Sequence, residues 1–314
     1  MIPSLRFALA ALGVSFAVAL APAASAQTLR AAGPPVRVVA DGAAAMAPRW
    51  SPDGARLAFT RAHYVGLWVA GADGSDVRPL VDWPAAGFGF SWSPDGTRLL
   101  ARAARYDGPS REDAVGVVDA TTGEATLLTP WRPSLPTLPQ WATDRRVVLD
   151  ARDGVETLAL AGGDASSLAV RPAVAVRPDG LVVLGDDRAP RVIVTGAVLN
   201  PVLSPDGTRV AFETMGAGVA VVRVDGSGRV ELGEGHRPAW SPDGRWVVLM
   251  TTEDDGERIT AADLFAARAD GSGRVRLTDT PDRLEMNPAW SPDGTRIAYD
   301  DLSDGALYVL PVTE

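Results

Sequence analysis

Carboxylates crowd the last third of the chain. Glu253, Asp254, Asp255 and Glu257 stand almost side by side, and Asp279, Asp282, Glu285, Asp301 and Asp304 follow. Gathered on one surface, such a set would attract a divalent cation or a basic segment of a partner protein. Its internal counter-charges would be Arg258 and Arg283. Histidine chemistry has little to draw on: His63 and His236 are the only two, and a metal site or proton relay would need the fold to join them. With no cysteine in the chain, disulfides, thiolate ligands and thiol nucleophiles are excluded. Neither GxSxG nor HExxH occurs, so no nucleophile elbow or zinc-protease helix is present. No catalytic residue, cofactor or metal is assigned. The candidate binding set is Glu253, Asp254, Asp255, Glu257, Asp279, Asp282, Glu285 and Asp301 with the aromatics Tyr64, Trp83, Tyr106 and Trp131.

A repeat must position these residues. WSPDG begins at Trp50, Trp92, Trp240 and Trp290, LSPDG at Leu203, and weaker versions stand at Trp141, before ATDR, and at Val176, before RPDG. These seven anchors lie 27 to 50 residues apart, close to the roughly 40–45-residue period of a four-stranded propeller blade. In each SPDG turn, Pro sets φ, Asp tolerates the bridge region, and Gly supplies the left-handed residue that closes a hairpin. Alternating runs at 56–60, 209–214 and 296–300 follow the turns, and DGS at Asp73, Asp225 and Asp270 marks a second hairpin in the repeat.

The expected fold class is therefore all-β: a β-propeller of four-stranded blades, seven in number with the one at 172–195 abbreviated, or six if that segment is an insertion. A strand at 36–40 has no anchor before it, and the last repeat stops one strand short after 307–310. The N-terminal strand is expected to pair there and close the ring. Trp50, Trp92, Trp141, Trp240 and Trp290 then serve as wedges between blades rather than as a ligand-stacking set. Asp53, Asp95, Asp206, Asp243 and Asp293 are turn residues rather than calcium ligands.

The 314 residues, with 32 Gly and 25 Pro, suit one large turn-rich domain at 36–314 after a linker at 27–35. Residues 1–26 have the form of a cleavable export signal: Arg6, an apolar run at 7–20, and Ala24, Ser25 and Ala26 before Gln27. The run is shorter than the ~20 residues of a spanning helix. The expected location is periplasmic or extracellular, with no membrane span after cleavage, and the expected state is a monomer. Formal charge is −9 and every basic residue is arginine, which argues against a nucleic-acid partner.

The pattern W-S-P-D-G-x-R-[LIV]-[AV]-[FY] resembles that of the TolB-type, WD-repeat-like β-propeller family, and the resemblance covers nearly all of the chain after the signal. It implies the propeller fold, on which periplasmic scaffolds, peptidase lids and sugar-processing enzymes have all been built. Neither TolB's N-terminal α/β domain nor an α/β-hydrolase domain is expected, and the propeller lyases draw on several histidines that this chain lacks. In a propeller, the connections from second to third strands and from blade to blade emerge opposite the SPDG and DGS turns. The candidate acids and aromatics fall in those connections. The expected function is a secreted or periplasmic scaffold that binds an envelope or secreted protein through that face. The alternative is a propeller enzyme, a lyase or hydrolase, acting on a sugar or peptide.

Overall fold

The computed structural model describes residues 28–135, 137–151, 154–160, 172–184 and 190–314, and they form seven antiparallel sheets arranged as a ring. Blade 1 comprises Ala45–Trp50, Arg56–Arg61, Leu67–Gly71 and Arg78–Val81. Blade 2 comprises Ser91–Trp92, Arg98–Asp107, Ser110–Asp119 and Ala125–Leu127. Three strands are described for blade 3, Gln140–Thr143, Arg146–Ala151 and Gly154–Ala159, and three for blade 4, Ala173–Arg177, Gly180–Leu184 and Arg191–Thr195. Blade 5 runs through Val198–Leu203, Arg209–Thr214, Gly218–Arg223 and Val230–Gly233. Blade 6 runs through His236–Trp240, Trp246–Asp254, Ile259–Arg268 and Arg274–Arg276. Glu285–Trp290, Arg296–Asp301 and Ala306–Thr313 make blade 7.

The ring closes as the orphan strand suggests. Val36–Val39 lies antiparallel to Ala306–Thr313, with Val36 opposite Val309 and Val39 opposite Leu307. Arg30 and Ala31, in the stretch expected to be a linker, add a second short pairing with Thr313 and Val312. Both segments bury apolar side chains, Leu29 and Val39.

Each SPDG turn is held by its own side chains. Ser51 Oγ donates to Asp53 Oδ1 at 2.5 Å and accepts the Arg56 N–H at 2.9 Å, while the carboxylate accepts the Ala55 N–H at 3.1 Å. The Ser–Asp bond recurs at Ser93, Ser204, Ser241 and Ser291. Hydrogen bonds from Ser204 and the Thr208 N–H hold the Asp206 carboxyl down at about 2. Gly54 closes the turn at φ 69°, a conformation that costs a residue with a Cβ roughly 1 kcal/mol or more.

The same motif joins one blade to the next. The indole N–H of Trp50 donates to the carbonyl of Ala289, that of Trp92 to Arg49, that of Trp141 to Ser91 and that of Trp240 to Val202, at 2.9 to 3.3 Å. The acceptor is each time the residue just before the anchor of the preceding blade. In return, Arg296 stacks over Trp50, Arg56 over Trp92 and Arg209 over Trp240. The same guanidinium groups reach the turn carbonyls of Gly54, Gly96 and Gly244. Among the described residues Trp290 is the anchor whose indole N–H is buried without a partner.

Blade 4 corrects the expected register of the repeat. The RPDG turn after Val176 is not an anchor; it joins the second strand to the third, on the opposite face. Gly180 opens the third strand as Gly66 and Gly218 do in blades 1 and 5. A Cβ on any of the three would strike a fourth-strand carbonyl, that of Val194, Val81 or Gly233. The same bulge follows each glycine. Pro-Asp-Gly makes a tight turn wherever a hairpin needs one, and 176–180 lacks the serine lock and the indole that mark an anchor. The three described strands of blade 4 therefore fill its second, third and fourth places. On the inner edge, the Gln140 side-chain amide donates to the carbonyl of Val174 and accepts its N–H at 3.2 Å. At this point a side chain stands where a strand would otherwise pair. The strand expected at 166–170, like the signal at 1–26, lies outside the described residues.

Candidate binding face

The two faces of the ring differ in kind. The lower face carries the SPDG and DGS turns, each closed by Asp and Ser. The upper face carries the remaining connections and, among the described residues, six exposed large apolar side chains: Val65, Phe88, Tyr106, Leu199, Met215 and Leu302, with Met215 at 70% and Tyr106 at 62% exposure. Val36, Leu127 and Val192, the other exposed large apolar residues, lie on outer strands.

Of the candidate aromatics, Tyr64 meets Phe88 edge to face at 5.5 Å, with Arg102 over the Phe88 ring. Trp131 lies under Arg105, and Tyr106, the next residue on the strand of Arg105, is exposed. Trp83 is placed differently. It packs against the core between blades 1 and 2, over Gly116, where a Cβ would collide with its ring.

The acids separate into an exposed group and a buried one. Glu253, Asp254, Asp255 and Glu257 form an exposed hairpin tip, where Asp255 accepts the N–H groups of Glu257 and Arg258. Those bonds hold its carboxyl below the usual range. A bridge between Ala262 and Leu284 sets this hairpin beside the connection that holds Asp279 and the exposed Asp282. Arg276 pairs with Asp279 at 2.8 Å and with Asp263 at 2.7 Å, and neither Arg276 nor Asp263 stood out in the sequence. Asp304 is exposed and accepts the Tyr308 hydroxyl. Glu285 and Asp301 are buried, at 0% and 1% exposure, so they are interior groups and not part of the rim. Asp301 accepts from Arg283, from the Leu284 N–H and from the Ser303 N–H. The Thr280 hydroxyl donates to Glu285 Oε1, and Oε2 has no partner among the described residues.

Burial pushes the Glu285 carboxyl up to about 7. Its folded pKa lies above its unfolded one, so the unfolded chain releases this proton first as pH rises. Stability from this group is complete below about pH 4 and falls until about pH 7. Glu285→Gln keeps an acceptor for Thr280 and removes the titration. We expect it to raise the unfolding free energy at pH 8 by on the order of 2 kcal/mol and to leave it unchanged at pH 4. Urea unfolding at the two pH values checks this.

The histidines are not brought together by any contact. His63 is exposed in the blade 1 connection, and His236 Nδ1 lies 3.3 Å from Glu213. Among the described residues no group of three or more His, Asp or Glu is placed to hold a metal ion.

The inner wall of the ring holds polar residues that the sequence did not single out. Ala47, Asn200, Arg237 and Asn287 each precede a proline, each has φ between 47° and 53°, and each sits at a bulge of its blade's first strand. Two carboxylates answer the N–H groups turned out by these bulges. Asp300 accepts from Ala47 at 2.9 Å and from the Asn287 amide, and Glu213 accepts from Arg237 at 2.5 Å and from the Asn200 amide. Burial pushes the Asp300 carboxyl up to about 7. The available signal was a residue-Pro pair one residue short of four anchors, which alone names no carboxylate.

No family model matches the chain. A protein TolB homolog of Chlorobium luteolum is 29% identical over 107 residues, which is 32% of this chain and 23% of that protein. The chain spans less than a quarter of the length of the curated relatives it matches. Among solved structures, one assigned to TolB of Agrobacterium tumefaciens superposes with a TM-score of 0.53 at 21% identity, covering 86% of this chain and 90% of that one. The Cps50 (Swd1) β-propeller domain of Myceliophteria thermophila superposes with a TM-score of 0.59 at 15% identity, covering 89% and 100%. In fold, the chain is a TolB-like, WD-repeat-like seven-bladed β-propeller. No helix among the described residues is long and apolar enough to cross a membrane.

Proposed function

We propose that this propeller is an exported scaffold that binds a protein partner through its upper face. One observation carries the proposal: among the described residues, all the exposed large apolar side chains outside the outer strands lie on that face, while the lower face is closed by polar turns. An apolar surface rimmed by polar groups is the usual mark of an interaction site. The partner segment has apolar residues for Phe88 and Tyr106 at blade 2 and for Leu199 and Met215 at blade 5. It has positive charge for the hairpin tip of Glu253, Asp254, Asp255 and Glu257. Export follows from the form of residues 1–26 and agrees with the periplasmic place of TolB-type propellers.

Photo-crosslinking tests this. A benzoylphenylalanine at Met215 or Tyr106 should yield discrete adducts in the producing cell, and one at Thr97 or Thr295, in the lower turns, should not. The double variant Tyr106→Glu, Met215→Glu should abolish adducts formed from position 199. Because both side chains are exposed, its stability should stay within about 0.5 kcal/mol of the parent. Equal adduct yields from the two faces would refute the assignment.

A further inference from the structure

The inner wall of the ring holds two guanidinium groups whose side-chain hydrogen bonds go to neutral acceptors. Arg49, on the first strand of blade 1, and Arg237, on that of blade 6, flank blade 7 at the axis. The side-chain hydrogen bond of Arg49 goes to the carbonyl of its own neighbour Pro48 at 3.0 Å, and that of Arg237 to Asn200 Oδ1 at 3.2 Å. Both acceptors are neutral, and among the described residues neither guanidinium stands in an ion pair. A guanidinium presents five N–H donors, so most of this capacity is not taken up by protein acceptors among the described residues. The two inner-wall carboxylates are already engaged. Asp300 serves Ala47 and both contacts of the Asn287 amide, and Glu213 serves Asn200, the Arg237 main chain and His236. Burial, and then repulsion from Arg237, lower the Arg49 pKa against a weaker pull from Asp300. Arg49 and Arg237 are both half-buried.

We propose that Arg49 and Arg237 form a carboxylate-binding site in the axial channel, occupied by the C-terminal or side-chain carboxylate of a peptide that enters from the upper face. The planar fork of a guanidinium matches the two oxygens of a carboxylate. A single negative charge suits a protein of net charge −9 better than a dianion, which the overall field would repel. Met46, Leu199 and Met286 stand one residue nearer the upper face on the first strands of their blades than Ala47, Asn200 and Asn287. Of these Leu199 is exposed, an apolar contact nearer the upper face than the arginines. The identity of the carrier rests on the upper-face proposal above; the carboxylate site does not.

Methylglyoxal labelling of the purified protein, read by peptide mass spectrometry at constant ionic strength, separates the two. Sodium acetate at about 100 mM should slow modification of Arg49 and Arg237 about fivefold if its Kd is about 25 mM. Acetamide should have no effect, and the exposed Arg258 should react equally in all samples. In Arg237→Gln the protection of Arg49 by acetate should be lost. N-acetyl-Ala-Phe-Leu with a free carboxylate should protect at concentrations at least tenfold below acetate, and its C-terminal amide should not protect. Acetate protection without that gain would keep the carboxylate site and remove the peptide from it, a failure of the upper-face reading. Acetate and acetamide behaving alike, or Arg49 and Arg237 staying unmodified while Arg258 reacts, would overturn the site itself.

Discussion

Trp50→Ala will lower the unfolding free energy by about 3–5 kcal/mol, measured by urea denaturation. The indole is 7% exposed and lies where the ring closes, among Leu57 of its own blade and Ala289, Ala298 and Val309 of blade 7. Truncation leaves a cavity between two blades whose positions are set by the rest of the ring, so the gap cannot collapse without distorting both. The substitution also strands the Ala289 carbonyl and takes away the aromatic face under Arg296. A conservative pair isolates the hydrogen bond. Trp50→Phe should cost about 1 kcal/mol more than Trp290→Phe, because the Trp290 indole N–H has no partner to lose. A cost near zero for Trp50→Ala would show that the indole is not the wedge at the closure.

Deleting residues 28–40 should have the second large effect. It removes the fourth strand of blade 7, the short pairing beyond it, and the buried side chains Leu29 and Val39. Loss of those two side chains alone is worth about 4 kcal/mol or more. The deletion also exposes the edge of Ala306–Thr313, whose Ala306, Leu307, Tyr308, Val309 and Leu310 are otherwise buried. A long apolar edge invites pairing with other chains. The shortened protein should melt at a lower temperature and aggregate on heating. An unchanged melting temperature with a monomeric product would show that the ring holds together without its N-terminal strand.

The candidate site was legible in part. Glu253, Asp254, Asp255 and Glu257 are expected in a loop; all four are exposed, but the second strand of blade 6 runs on through Glu253 and Asp254, and only Asp255 and Glu257 lie in the turn. Glu285 and Asp301 looked the same in sequence, yet both are interior. Their spacing from Trp290 places them at the upper ends of blade strands, and whether such an end is covered depends on a connection from another blade. Arg49 and Arg237 drew no notice, since an arginine before or near an anchor is ordinary in a chain whose basic residues are all arginine. They become distinctive only when blades 1 and 6 face a common axis.

By itself, the sequence determined the architecture. SPDG turns act locally, through serine and aspartate bonds to the next few residues, and their recurrence sets strand order, a ring of seven blades or six, and the need for a closing N-terminal strand. Tertiary structure alone decided three other matters. It assigned the RPDG turn after Val176 to the opposite face, because turn chemistry carries no direction. It placed Glu285 and Asp301 inside and set Trp83 half-buried against the core between blades 1 and 2, because burial depends on neighbours distant in the chain. It also brought Arg49, Arg237, Asp300 and Glu213 to one channel. Ring closure juxtaposes residues more than 250 positions apart, and the electrostatic energy of such groups depends on their separation in space, which no local pattern in the chain encodes.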